Sequence, residues 1–365
     1  DGESRFVESA KVTEKLQSTL HLFDLIVGTE EEFHIAGGTT NTIEALRAVR
    51  AVSDAVLICK RGPMGASAFT GVIPDTLDEG QSGPGFPIEV FNVLGAGDGF
   101  MSGLLKGWLD GEDWPVTLGY ANACGAIAVS RHGCTPAYPS WEELQFFLRR
   151  GVKEPALRKD RELEQLHWST NRKGDWSTMR VFAFDHRIQL EQMADTANAG
   201  HERIGSFKKL CLDAALSVAD GQPGYGILCD SRHGREALYR AAGTGLWIGH
   251  PVEWPSSRPL ILEPEIGPDF GGMSEWPAEH VVKVLCFYHP KDTDTMKAEQ
   301  EDVLKRLFAA CRRNRLELLL EVIPSNVGPV DDDTTVDIIR RIYEIGIYPD
   351  WWKLEPMTTA VAWAK

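Results

Sequence analysis

"PIEVFNVLGAGDGFMSGLLKGW" (residues 87–108) joins an apolar run to a small-residue turn that leads straight into a helix. A strand feeding a helix through such a turn points to an α/β fold. Gly95, Ala96, Gly97, Asp98 and Gly99 form the turn. Unpaired backbone N–H groups at a helix start can hold a phosphate. An aspartate there can take the proton of a nucleophilic hydroxyl while the turn receives a phosphoryl group. A glycine-rich helix entry can also be no more than a tight turn, so its surroundings must decide.

Upstream, strand-like runs occur at 23–29 ("FDLIVGT"), 54–60 ("DAVLICK") and 66–72 ("ASAFTGV"), and 87–93 itself reads as a fourth. A long helical region follows the turn. The mixture predicts an α/β sandwich over residues 1–150, in which the last strands feed helices. Residues 151–175 are polar, charged and poor in β-branched residues, and they read as a partly helical linker.

The second half has a steady beat. Apolar runs at 180–187, 224–230, 245–253, 281–290, 316–324 and 349–356 alternate with amphipathic spacers such as "TMKAEQEDVLKRLFAACRRN". Continuous apolar runs suit buried parallel strands, and helical spacers supply the crossovers. The expectation over 176–365 is a (β/α)8 TIM barrel, of which about six units are present, incomplete at its end. A doubly wound sheet is the runner-up. The first residues read as the middle of a fold, so truncation at both ends is also expected.

The bulk properties fit this picture. The chain has 365 residues, 43% of them hydrophobic and 25% charged, which favours two globular domains. A formal net charge of −15 argues against a nucleic-acid partner. Seven scattered cysteines without a CxxC pair suggest reduced thiols in a cytoplasmic protein. Neither a bilayer-length apolar stretch nor a secretory signal pattern appears, so no membrane partner is expected.

Together, "NVLGAGDGF", "LIVGTEEEF" (25–33), "LICKRGPMGASAF" (57–69) and "ANACGAIAVSRHGCTPAYPS" (121–140) resemble the carboxy-terminal part of the ribokinase-like (PfkB) sugar kinases. The resemblance implies ATP and Mg2+ as cofactors. It makes Asp98 the base for a sugar hydroxyl, and Gly95, Ala96 and Gly97 the anion hole. It puts Lys60, Gly62, Gly65 and Asn122 beside the nucleotide, and Glu31 or Glu32 in the magnesium and phosphate network. Asn92 departs from the family's usual Asp or Thr. The sugar-binding residues of these kinases lie mainly in an amino-terminal half not found in this sequence. Such kinases commonly dimerise through a lid, so a homo-oligomer stays an open expectation.

In the second half, charged residues recur at the ends of the apolar runs: Asp185, His186 and Arg187; Asp230; His250 and Glu253; Lys283 and His289; Glu321; Lys353 and Glu355. Charges rarely occupy such runs unless paired or functional. A lysine made less basic by a second ammonium and by burial can form an iminium with a ketone. Lys283 and Lys353 could form such a pair, with Glu321 or Asp185 moving protons. His186, His250, His289, Asp185 and Glu321 could instead gather around a divalent metal, although HxH and HExxH spacings are absent and two lysines would oppose a cation. A solvated rim salt bridge would give the same pattern.

The stretches "AFDHR", "KVLCFYH", "EVIP" and "DWWKLEP" resemble class I aldolase-like domains fused to sugar kinases of inositol catabolism and, more distantly, the tagatose 1,6-bisphosphate aldolases. That resemblance makes Lys353 the Schiff-base lysine, with Lys283, Glu321 and Asp185 as its catalytic neighbours. Arg187, His186 and Glu355 would contact substrate. The paired domains imply ATP-dependent phosphorylation of 5-dehydro-2-deoxy-D-gluconate. Cleavage of the 6-phosphate to dihydroxyacetone phosphate and malonic semialdehyde would follow in the barrel. A barrel without catalysis, serving oligomerisation or regulation, and a metal-dependent lyase or isomerase are the alternatives.

Overall fold

The computed structural model describes residues 10–171, 176–357 and 359–365. The chain divides into two compact units, residues 1–173 and 174–365.

In the first unit the helices are α1 (Ala10–Leu20), α2 (Glu30–Gly37), α3 (Thr42–Arg50), α4 (Ala96–Asp110), α5 (Trp114–Val129), α6 (Trp141–Arg150) and α7 (Arg161–Thr170). Strands β1 (Leu25–Thr29), β2 (Val56–Lys60), β3 (Ala66–Phe69) and β4 (Gln81–Gly83) form one sheet in that order. β1 and β2 are parallel, and β3 and β4 return antiparallel. Helices cover both faces. Leu57 and Cys59 pack with Phe33, Leu46 and Val49 of α2 and α3, while Ile58 faces Leu104 and Leu118 of α4 and α5. This alternation is the period-2 facing of a strand buried on both sides.

Residues 87–93 join no ladder. Phe91 and Asn92 donate their N–H groups to Val129 O, and Glu89 donates to Pro155 O. The β-branched, aromatic run thus lies along helix ends instead of a strand. Residues 151–170 pack into this unit, with Leu157 and Leu163 in a core cluster alongside Leu144 and Phe147.

All six apolar runs of the second unit form strands: β5 (Arg180–Ala183), β6 (Tyr225–Leu228), β7 (Trp247–Pro251), β8 (His280–Cys286), β9 (Glu317–Val322) and β10 (Trp351–Leu354). The intervening helices are α8 (Ile188–Thr196), α9 (Glu202–Ala219), α10 (Ser231–Ala241), α11 (Asp294–Asn314) and α12 (Thr334–Glu344), and α13 (Ala360–Ala364) closes the described chain. Every neighbouring pair is parallel, in the order β10-β9-β8-β7-β6-β5.

The expected closed (β/α)8 barrel is therefore corrected. The sheet is an open, curled half-barrel of six strands, and among the described residues β5 and β10 do not pair with each other. Aromatic packing supports the curl: Trp351 of β10 meets Trp176, just before β5, at 6.1 Å between ring centroids, and Trp247 of β7 at 5.5 Å. The concave face carries Leu228, Trp247, Val281, Leu319 and Trp351. The convex face packs Val282, Val284, Leu318 and Leu320 in the main core with residues of α11 and α12.

His250 lies buried on β7, stacked on Trp276 at 3.7 Å, with neither ring nitrogen hydrogen-bonded to the protein. Burial, with lesser repulsion from His280 and Arg187, pushes its pKa down to about 3 from the usual 6.5. Between those values the unfolded chain takes up a proton that the native chain refuses. Stability contributed here is complete above pH 6.5 and declines as pH falls, by up to about 1.4 kcal/mol per pH unit. Urea unfolding between pH 7 and 4.5 should show this slope, and His250→Phe should flatten it. Equal slopes in the two proteins would contradict the assignment.

Candidate functional site

In the first unit the Gly-rich turn has a defined geometry. Gly95 caps α4 in the left-handed region, φ 81°, a conformation open to glycine at little cost. A Cβ on it would lie 2.3 Å from Cys134 Sγ and 2.9 Å from the Tyr138 hydroxyl oxygen. Asp98 stands exposed in the first helical turn. Helix geometry leaves the N–H groups of Gly97 and Asp98 without intrahelical acceptors, and the dipole favours negative charge there.

The loop after α5 braces this turn. Tyr138 donates its hydroxyl to Gly95 O at 3.1 Å, and Asn92 donates its amide to Gly133 O at 3.1 Å. Asn92, where the kinases usually carry Asp or Thr, thus serves as a loop tie.

A second feature faces solvent at the ends of β1 and β2. A groove of about 580 Å³ is lined by Thr29, Glu30, Glu31, Glu32, Ile35, Lys60, Arg61 and Gly62. Thr29 and Glu32 form a reciprocal cap at the start of α2: Thr29 Oγ1 accepts from Glu32 N at 3.2 Å, and Glu32 Oε2 accepts from Thr29 N at 2.6 Å. Partial burial works against ionisation of Glu32, but Thr29 and Lys60 together hold its carboxyl below the usual range. Lys60 Nζ lies 3.7 Å from Glu32 and 5.9 Å from the ring centroid of Phe100 on α4. The groove cation is therefore close to the helix that carries Asp98.

Gly62 and Gly65 both have positive φ, and a Cβ on Gly65 would come within 2.2 Å of Gly83 O. The glycines of "KRGPMG" fix the turn between β2 and β3. Asn122 is buried on α5, and its side-chain nitrogen has no protein acceptor. Glu31 is exposed in the first turn of α2. The groove thus brings the cations of Lys60 and Arg61 together with the carboxylates of Glu30, Glu31 and Glu32.

The strand-end charges of the second unit come together as expected from their facing, but their electrostatics differ. Lys283, only 3% exposed, lies 3.0 Å from Glu321 and 3.2 Å from both Asp185 and Glu253. Burial opposes its charge, yet the carboxylates of Glu253, Asp185 and Glu321 outweigh this and hold its pKa above the ordinary lysine value. Lys353 pairs with the other oxygen of Glu321 at 2.7 Å. Asp185 is driven toward protonation by burial, but Lys283 and Lys353 keep its pKa below normal.

Arg187 extends the network inward, meeting Glu253 at 2.5 Å and Glu263 at 3.0 Å. Glu355 instead accepts from the backbone and hydroxyl of Ser325, and His186 is exposed at the rim. Two members escaped the sequence reading. Glu263 lies in the loop after β7, and Lys208, fully buried on α9, bonds Asp230, Phe184 O and His186 O. A mid-helix lysine in "SFKKLCL" gives no signal that it turns inward. Among the described residues, no three His, Cys, Asp or Glu side chains converge on a point that could hold a metal ion.

Removing Lys283 would leave three buried carboxylates facing one another. Lys283→Ala should cost about 3–5 kcal/mol, as breaking a buried ion pair does. Lys353→Ala, at a side chain 43% exposed, should cost about 1 kcal/mol or less. Urea unfolding followed by tryptophan fluorescence distinguishes them. Equal losses would contradict the assignment of Lys283 as the network's hub.

Comparisons with known proteins divide the chain some thirty residues earlier than its two compact units do. The model of the pfkB family carbohydrate kinases matches residues 4–141. The 5-dehydro-2-deoxygluconokinase of Halalkalibacterium halodurans is 28% identical over 130 residues, covering 35% of this chain and 38% of that protein. The 5-dehydro-2-deoxygluconokinase 2 of Bacillus cereus is 30% identical over 132 residues, 34% and 38% of the two chains. The chain thus spans about two fifths of the length of these curated relatives. A fructokinase of Vibrio cholerae, solved with fructose, ADP and calcium, is 28% identical over 37% of this chain and 45% of its own, at a TM-score of 0.32. That score is too low for the superposition to bear on the fold.

The resemblance of the second half to class I aldolases is overturned. Its sheet is open, and Lys283, the expected activating neighbour of Lys353, is made more basic, the reverse of what an iminium-forming pair requires. Residues 143–365, more than half of the chain, match a family described as an uncharacterized protein conserved in bacteria (DUF2090), and the chain belongs to that family.

Proposed function

We propose that the first unit is the nucleotide- and phosphoryl-binding half of an ATP-dependent PfkB-type sugar kinase. The observation that carries this reading is the left-handed Gly95 turn, which opens α4 with Asp98 in its first turn. In the reaction the acceptor hydroxyl oxygen attacks the γ-phosphorus, the bond to the β-phosphate oxygen breaks, and Asp98 takes the hydroxyl proton. The N–H groups at the start of α4 hold the equatorial oxygens as charge develops on them.

Lys60 is suited to the nucleotide phosphates, Gly62 and Gly65 to a close backbone approach, and Asn122 to an acceptor on the base. Glu31 and Glu32 would hold Mg2+ indirectly; when bound, the ion neutralises phosphate charge. Glu32 is already engaged by Thr29 and Lys60, so Glu31 has the more open carboxylate.

The acceptor proposed is 5-dehydro-2-deoxy-D-gluconate. It rests on the names of the curated relatives. For the second unit we infer a structural ion-pair network at the strand ends, because Lys283, Lys353 and Arg187 each have a carboxylate partner.

In a polypeptide that also carries the sugar-binding half, phosphorylation of 5-dehydro-2-deoxy-D-gluconate from Mg·ATP, followed by ADP release, tests the reading. Asp98→Asn should lower kcat by about 10²–10⁴, the usual contribution of a general base, while ATP affinity stays near wild type. Retained turnover in Asp98→Asn would remove Asp98 as the base.

A further inference from the structure

The loop that braces the Gly95 turn is itself held from behind by α7. Arg131, at the start of this loop and buried, donates from Nη2 to Glu143 Oε1 at 2.5 Å and from Nε to Glu164 Oε1 at 2.8 Å. Glu143 is fully buried on α6, and Glu164 belongs to α7. His167, one turn further along α7, brings Nδ1 within 2.7 Å of Glu143 Oε2 and Nε2 within 3.0 Å of Pro136 O. Ser140 Oγ donates to Thr170 Oγ1 at 2.7 Å. Segment 131–140 is therefore clamped to α7 at Arg131, Pro136 and Ser140.

The opposite side of the same segment touches the phosphate turn. Gly133 O accepts from Asn92, Tyr138 bonds Gly95 O, and the Cys134 thiol occupies the space a Cβ on Gly95 would need. The Tyr138 ring also lies where a Cβ on Gly99 would come within 3.4 Å. Between α7 and the turn lies one layer of loop, tied on both sides. A shift of α7 must either break these ties or move the turn.

We propose that α7 is a positioning element of the phosphate site, acting through the His167–Glu143–Arg131 clamp on loop 131–140. The inference rests on the kinase reading of the Gly95 turn. It goes beyond that reading because Glu143, Glu164 and His167 lie outside the kinase-family match, which ends at 141, and inside the DUF2090 match, which begins at 143. The second family's first helices then complete the first family's site.

The clamp is a buried charge arrangement. Glu143 has Arg131 and His167 as partners, and losing His167 leaves one of its oxygens without that donor. Displacing positioned groups by about 1 Å can cost two orders of magnitude in a phosphoryl-transfer site.

Two measurements on the full chain test this. The first is calorimetric binding of Mg·ATP. The second is the alkylation rate of Cys134 by iodoacetamide, read by mass spectrometry; Cys134 is half-buried, whereas the other six cysteines are buried. His167→Ala should weaken Mg·ATP binding about tenfold and raise Cys134 alkylation several-fold, at unchanged helix content. His167→Gln, which retains an amide donor toward Glu143, should recover part of both effects. If His167→Ala does not fold, Glu164→Gln, at a side chain 39% exposed, should shift both readouts in the same direction by less.

Wild-type affinity and wild-type Cys134 reactivity in the folded variants would overturn the inference. Raised reactivity with no Mg·ATP binding even in the wild type would leave the mechanical coupling standing but sink the kinase reading, and with it α7's role in a phosphate site.

Discussion

Gly95 turns the chain at φ 81° with Cys134 Sγ only 2.3 Å from where a side chain would begin. That one constraint organises the first unit. The turn aims the start of α4 outward and stands Asp98 at its tip. It also requires loop 131–138 to lie against it, so the residues that hold this loop become part of the site. The groove at the ends of β1 and β2 then adds a cation and carboxylates on the neighbouring wall. Turn and helix dipole act together there, and an anion is favoured at such a helix start.

The second unit obeys a different constraint: a charge buried at a strand end must be paired. Lys283 satisfies it with three carboxylates, and the result is a lysine held firmly protonated. A nucleophilic lysine needs the reverse environment, with a neighbouring ammonium or apolar surroundings and no excess of carboxylates. Lys353 lies near the same network, but Glu321 stands between the two ammonium groups, bonded to each through a different oxygen. The two lysines that looked like a mutually activating pair are separated by their shared counter-ion.

Much of this was legible in the residues, for physical reasons. Six apolar runs alternating with amphipathic spacers announced six parallel strands, of which the inner four, β6 to β9, are the buried ones. "NVLGAGDGF" announced a tight small-residue helix entry, and the structure adds that Gly95 makes it in the left-handed region. Barrel closure was not legible, because strand count and order do not fix whether two edges meet. Run 87–93 has strand composition but ends as a brace along Val129, a tertiary choice that local propensity does not carry. Arg131, Glu143 and His167 are separated by 12 and 36 positions along the chain from Arg131. No short motif could reveal them as one clamp.

The left-handed turn as a phosphate site is tested most directly by equilibrium binding of Mg·ATP to the wild-type chain and to Gly95→Ala, with melting temperatures recorded for both. The account predicts saturable binding by the wild type and at least about a tenfold loss in the variant, since a side chain at φ 81° against Cys134 must displace the turn. Binding of equal strength in two equally folded proteins would contradict it.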